Sequence, residues 1–130
     1  MVRSYELDMH GHVNNATYLN YLEGARMDFL NSIGFDYSRF FVEGYSLYVA
    51  KIEISYMAPA FLNDTISVFT EAVKKKKLSG MFRQTISRDS TVLADAFVTW
   101  ACVNRQGRPV PLPESFSFPE FEPSDKPLSV

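Results

Sequence analysis

Tyr5-Glu-Leu-Asp-Met-His-Gly-His-Val-Asn-Asn-Ala-Thr-Tyr18, continued by Leu-Asn-Tyr-Leu-Glu-Gly-Ala-Arg-Met-Asp-Phe-Leu-Asn-Ser-Ile-Gly34, decides how this chain is read. A short strand over 2–7 runs into a polar loop, Asp8 to Asn14, and the loop runs into a helix from Ala16 to about Ser32. Tyr18, Leu19, Leu22, Ala25, Phe29, Leu30 and Ile33 recur at three- and four-residue spacings, which is the helical period. The polar stripe is narrow (Asn20, Glu23, Gly24, Asp28, Asn31), so the helix is expected to be wrapped by other structure. Gly34 stands where a helix stop belongs. Asn14 or Asn15 caps the start by accepting from first-turn N–H groups. Those unpaired donors carry partial positive charge. A carboxylate held beside them, Asp8, suits attack on a polarised carbonyl.

Downstream the period changes. Residues 35–44 form an aromatic-rich connector with room for a turn of helix. Tyr45–Tyr56, Thr65–Lys76, Ser79–Arg88 and Val92–Asn104 are then rich in branched and aromatic residues, as strands are. Pro59 and Leu62-Asn-Asp64 separate the first two; Lys77–Gly80 and Asp89-Ser90-Thr91 read as hairpin turns. Strands joined by short turns pair antiparallel. The expected fold is α+β, a long antiparallel sheet wrapped around one central helix. The last strand is expected to put Val92, Val98 and Trp100 on one face and Leu93, Phe97 and Val103 on the other. One face would meet the helix; the second, also apolar, suits another subunit. One domain over 1–111 is expected, with a proline-rich tail over 112–130 lying on or beside it as a loosely packed strap.

Composition removes several function classes. The net charge is −2, against the basic excess of nucleic-acid proteins. No apolar run approaches the roughly 18 residues of a membrane span. Met1-Val-Arg-Ser opens no signal peptide, and the first strand starts so early that a longer natural N-terminus has room outside this numbering. A single cysteine, Cys102, allows no internal disulfide and fits a reducing, cytoplasmic setting.

Val2-Arg-Ser-Tyr-Glu-Leu-Asp8, Gly11-His-Val-Asn-Asn15, Tyr18, Glu23 and Ala25-Arg26 together resemble the N-terminal signature of hotdog-fold thioesterases of the 4-hydroxybenzoyl-CoA thioesterase type. The order of strand, long helix and four strands agrees. The resemblance covers about Val2 to Pro111 and is nearest to single-hotdog acyl-CoA and acyl-ACP thioesterases of fatty-acid metabolism. It implies a homodimer with sheets joined edge to edge, paired again into a homotetramer, and a site at the dimer interface. It aligns Asp8 with the catalytic carboxylate and the Asn15 N–H with the donor that polarises the thioester carbonyl. Glu6 and Asn14-Asn15 depart from many relatives, which carry Asp and aromatics there.

The residues admit several roles. Asp8 serves as general base for water or as nucleophile. His12 hydrogen-bonds near the carbonyl or shapes the loop; Gly11 permits a positive φ; Asn14 and Tyr18 are candidates for contact with substrate. His10 and His12 lack a nearby third ligand, so no metal or redox cofactor is expected. Glu23 is a rival carboxylate, with an ordinary ion pair to Arg26 as the simpler account. Asp95 is expected to face solvent or an interface, and Cys102 to be inert core. The run Lys74 to Lys77, represented by Lys75 and Lys77 and joined by Arg88, is a solvated hairpin end or a dock for the phosphates of coenzyme A or phosphopantetheine. Two other readings share the same tunnel: an enoyl or 3-hydroxyacyl thioester hydratase-dehydratase, and a non-catalytic acyl-thioester-binding protein.

Overall fold

The structure is a computed structural model. It describes Val2 and residues 15–123, except the side chains of Asn15 and Ala16. The strand expected over 2–7 lies outside those residues, as do Asp8, His10, Gly11, His12 and Asn14.

Helix α1 spans Asn15–Ser32 and ends as its sequence requires. Gly34 takes φ +82°, the Gly34 N–H donates to Asn31 O at 3.2 Å, and the Phe35 N–H reaches back to Leu30 O at 2.9 Å. This is the paired closure of a Schellman end, and Phe35 and Leu30 are buried in the same cluster as its apolar clasp. A six-residue helix, α2, spans Tyr37–Val42 and is capped by Asp36, which accepts from the Arg39 N–H at 3.0 Å.

Four strands follow: β1 (Ser46–Tyr56), β2 (Ser67–Lys75), β3 (Ser79–Arg88) and β4 (Thr91–Val103). They form one antiparallel sheet in the order β1-β4-β3-β2. The β2–β3–β4 part is a meander on tight turns, whereas β1 crosses to the far edge and pairs with β4. This is the α+β hotdog arrangement. Register shifts at Val49/Lys51, Ala72/Lys74 and Ile86/Ser87 mark bulges, which add the twist a sheet needs to curl.

The third bulge corrects one expectation. Ile86 faces Ala94 and Ser87 faces Val92, which leaves Leu93 unpaired in the ladder. Strict alternation fails there: Leu93 is fully buried beside Ala94 and Val92 is exposed. Phe97 and Val103 do lie opposite Val98 and Trp100, on the outer face.

Two apolar clusters hold α1 in the sheet. Tyr18 and Leu22 pack with Val2, Ala60, Ile86, Leu93, Ala94 and Ala96. Leu30 joins Phe35, Phe40, Phe82, Trp100 and Cys102. The helix therefore runs antiparallel to β3, starting near Ile86 and ending near Phe82. The tail is no loose strap. Leu112, Phe116 and Phe121 are buried in the second cluster, with Phe116 4.9 Å from Phe40 and Phe121 5.4 Å from Trp100 between ring centroids. Prolines set single 3-10 turns at Glu114–Phe116 and Pro119–Phe121, which aim these rings inward. The division at residue 111 is therefore no boundary in packing.

Two glycine substitutions should have opposite signs. Gly34→Ala forces a side chain into the left-handed region and should cost about 1 kcal/mol. Gly24 lies in the helix interior with open space where a Cβ would go, so Gly24→Ala should add about 0.5–1 kcal/mol. Denaturant midpoints of the two variants check both.

Candidate active site

The candidate site expected from the sequence begins at the first turn of α1. The helix begins at Asn15, so the Asn15 N–H is one of the donors without an intrahelical acceptor. No acidic residue lies in this first turn among the described residues. Tyr18 follows at 2% exposure, edge-on to Tyr56 (5.3 Å) and Tyr21 (6.0 Å). Burial raises its phenol above the usual range, partly offset by a backbone hydrogen bond at Ala60 and by the Arg88 charge. Tyr18 thus belongs to the core that fixes the helix start, not to a cavity wall.

From the second turn onward, a cavity of about 400 Å³ runs between α1 and the β1 side of the sheet. Leu19, Met27, Leu30, Leu47, Val49, Ile52, Phe82 and Trp100 make its lining mainly apolar, with Asn20, Glu23, Arg26 and the hydroxyl-bearing Tyr37 beside them. It is lined like a small-molecule site: mostly hydrophobic, with few convergent polar groups.

Arg26 does not pair with Glu23, contrary to the helix-surface pair expected. Its Nη1 instead donates to Gln84 Oε1 at 2.9 Å. Gln84 is the one buried polar side chain among the described residues, and its Nε2 donates to Leu22 O at 2.9 Å and to Thr70 Oγ1 at 3.1 Å. Desolvation lowers the Arg26 pKa, and the nearby Glu23 charge offsets part of that. Sequence reading missed this pair, although a signal was present. Gln84 falls in the inward register between Phe82 and Ile86, where a polar group must find partners.

The basic residues divide differently from the expected grouping. Lys74 and Lys76 line a cleft of about 180 Å³ with Ser79, Gly80, Met81 and Thr99. Lys75 is turned away: its Nζ donates to Lys76 O at 2.6 Å and lies 5.8 Å from the Trp100 ring centre. That ring occupies the space left by Gly80, where an added Cβ would come within 2.6 Å of Trp100 Cε2. Lys77 is exposed in the turn and is not in the cleft's lining. Arg88 does not join the lysines. It sits at the other end of β3, roughly 30 Å away at strand rise, where Nη1 meets Asp64 Oδ2 at 2.8 Å and Pro59 O at 3.2 Å. The lysines lie by the end of α1, about 25 Å of helix from its start.

Asp95 faces outward in a bidentate pair with Arg83, both bonds 3.0 Å. Among the described residues no group of three or more His, Cys, Asp or Glu is placed to hold a metal, and no helix is long and apolar enough to cross a membrane. Cys102 is fully buried, and desolvation pushes its thiol up to about 11. Since the thiolate is the reactive form, iodoacetamide at mildly alkaline pH should leave the folded chain unmodified and label it rapidly in denaturant. Labelling at equal rates in both states would contradict this placement.

The match to known proteins agrees with this geometry. The model of the Thioesterase-like superfamily covers residues 2–118. The long-chain acyl-CoA thioesterase FadM of Escherichia coli is 37% identical over 106 residues, covering 79% of each chain. The chloroplastic acyl-acyl carrier protein thioesterase ATL3 of Arabidopsis thaliana is 30% identical over 88% of this chain and 61% of its own. Among solved structures, YbaW, a probable thioesterase from Escherichia coli, superposes with TM-score 0.78 at 34% identity over 88% of both chains. A helix packed on a four-strand antiparallel sheet, a mainly apolar cavity beside it and a family match over nearly the whole chain lead to one assignment: this chain belongs to the thioesterase-like superfamily, a hotdog-fold family of thioester hydrolases.

Proposed function

We propose that the chain hydrolyses acyl-CoA or acyl-carrier-protein thioesters at the start of α1. The single observation that carries the reading is the mainly apolar cavity beside α1 in a thioesterase-family chain. In this reading the Asn15 N–H receives the carbonyl oxygen, and its charge stabilisation grows as the oxyanion forms. Asp8 delivers water as general base or attacks directly to form a mixed anhydride; either way the thiol leaves and the acid is released. His12, Gly11 and Asn14 shape the loop around the thioester, and the acyl chain occupies the cavity along α1.

The reading includes a second copy of the chain. Among the described residues nothing pairs with the outer edge of β1, so its backbone groups are free to pair. Two such edges meeting about a two-fold axis give an isologous, antiparallel junction. The reading takes the phosphate-binding lysines from the partner subunit, and a pair of dimers is the further step. The lysine cleft supplies positive charge for coenzyme A or phosphopantetheine phosphates. A cytoplasmic, reducing location accords with the lone buried cysteine.

Asp8→Asn should cut thiol release from acyl-CoA at least about 10²-fold with the far-ultraviolet spectrum unchanged; unaltered turnover would remove Asp8 from the chemistry. Mixed oligomers of Asp8→Asn and of Lys74→Ala with Lys76→Ala test the two-chain site. Each hybrid should hold one intact site and regain activity at low substrate concentration. No recovery would put the lysines and the carboxylate in the same protomer.

A further inference from the structure

We propose that Arg26, positioned by Gln84, makes this cavity selective for acyl chains that carry a hydroxyl group far from the thioester. The proposal rests on the reading that the acyl chain lies along α1. A half-buried guanidinium is an expensive group to place in an apolar cavity, and it is retained only where acceptors meet it. Arg26 has five N–H donors and, among the described residues, uses one of them, to the neutral Gln84 oxygen. No carboxylate lies within 4.0 Å of it among the described residues, although Glu23 influences it from the same wall.

Gln84 cannot turn to relieve the arrangement. Its amide nitrogen is committed to Leu22 O and Thr70 Oγ1, which leaves Oε1 facing Arg26. The guanidinium is thereby held at a fixed depth, with its remaining donors available to an oxygen in the cavity. A carboxylate-tipped chain would meet the Glu23 charge there. A hydroxyl suits both neighbours, since it accepts from Arg26 and donates to Glu23. Arg26 lies 11 residues beyond Asn15. At helical rise that is about 16 Å along the axis, so the hydroxyl is in the distal part of a long chain and not next to the scissile carbonyl. Arg26 is the specificity-determining residue and Gln84 its positioning residue.

The test measures affinity, so it stands apart from whether the protein hydrolyses anything. Thioether analogues of dodecanoyl-CoA, plain or with a hydroxyl on carbon six, eight, ten or twelve, are titrated into the full chain by calorimetry. For the wild type the best hydroxylated analogue should bind about ten-fold or more tightly than the plain one, the usual worth of a hydrogen bond to a charged group. Arg26→Met, which keeps an apolar stem of similar length, should bring the ratio to about one while retaining affinity for the plain chain. Arg26→Lys, which keeps the charge and loses the planar fork, should fall between them. A wild-type ratio near one for every isomer overturns the proposal, whatever the variants do. An undiminished preference in Arg26→Met overturns it also. Thiol release from the corresponding thioesters is scored separately and bears on the hydrolysis alone.

Discussion

Antiparallel packing of α1 along β3 sets where every functional group lies. One helix with a wide apolar face packs against a sheet of four strands that follows it only by curling; contrary to the wrapping expected, its other side, with Leu19, Glu23, Met27 and Asp28, stays exposed. The bulges at three register shifts supply the curl, and the two apolar clusters grip the helix at either end. Between the clusters sits Gln84, tied to the Leu22 carbonyl, Thr70 and Arg26. An amide satisfied on three sides has one good position along the helix, so it fixes the register of helix against strand where apolar packing alone would tolerate sliding. The helix start is thereby placed at the Ile86 end, the lysine turn at the other.

That placement links packing to chemistry. A helix N-terminus stabilises a developing oxyanion only if it is held still and dry. Tyr18 and Val2 seal the first turn: both are almost fully buried, and Val2 is tied to the 61–64 loop by its N–H to Asp64 O at 3.0 Å. Arg88 holds the same loop from below through Asp64 and the Pro59 carbonyl. Asp64 is held below the ordinary carboxylate range, first by the Phe61 N–H and then by Arg88, so this brace persists at neutral pH. Arg88 thus braces the start of α1 mechanically, which is a different task from binding phosphate.

Much of this was legible in the chain itself. The helical spacing from Tyr18 to Ile33, Gly34 as the stop and the four strand runs came within about two residues of the observed elements, because each is written in local pattern. The resemblance of the first 26 residues to hotdog thioesterases carried the fold and the activity, and the family match agrees with both. What stayed hidden was non-local. A bulge is one residue without a partner, and no spacing rule reveals that Leu93 breaks the alternation. Which lysines share a face depends on the bulge at Val73 and on Trp100 filling the gap over Gly80. Arg26 had an obvious partner at i−3 in Glu23, but the buried oxygen of a residue 58 positions away won. The tail read as a strap too proline-broken for a strand or a long helix and only loosely packed, yet the prolines are what turn its phenylalanines into the core.

The most direct measurement is a crystal structure of the full chain with a ketone analogue of an acyl-CoA, in which a methylene replaces the sulfur. The expected result is the carbonyl oxygen about 3 Å from the Asn15 nitrogen, Asp8 on the opposite side of the carbonyl carbon, and the acyl chain between Met27 and Leu30 on α1 and Ile52 on β1. A carbonyl seated away from the helix start, with the chain outside that cavity, would contradict it.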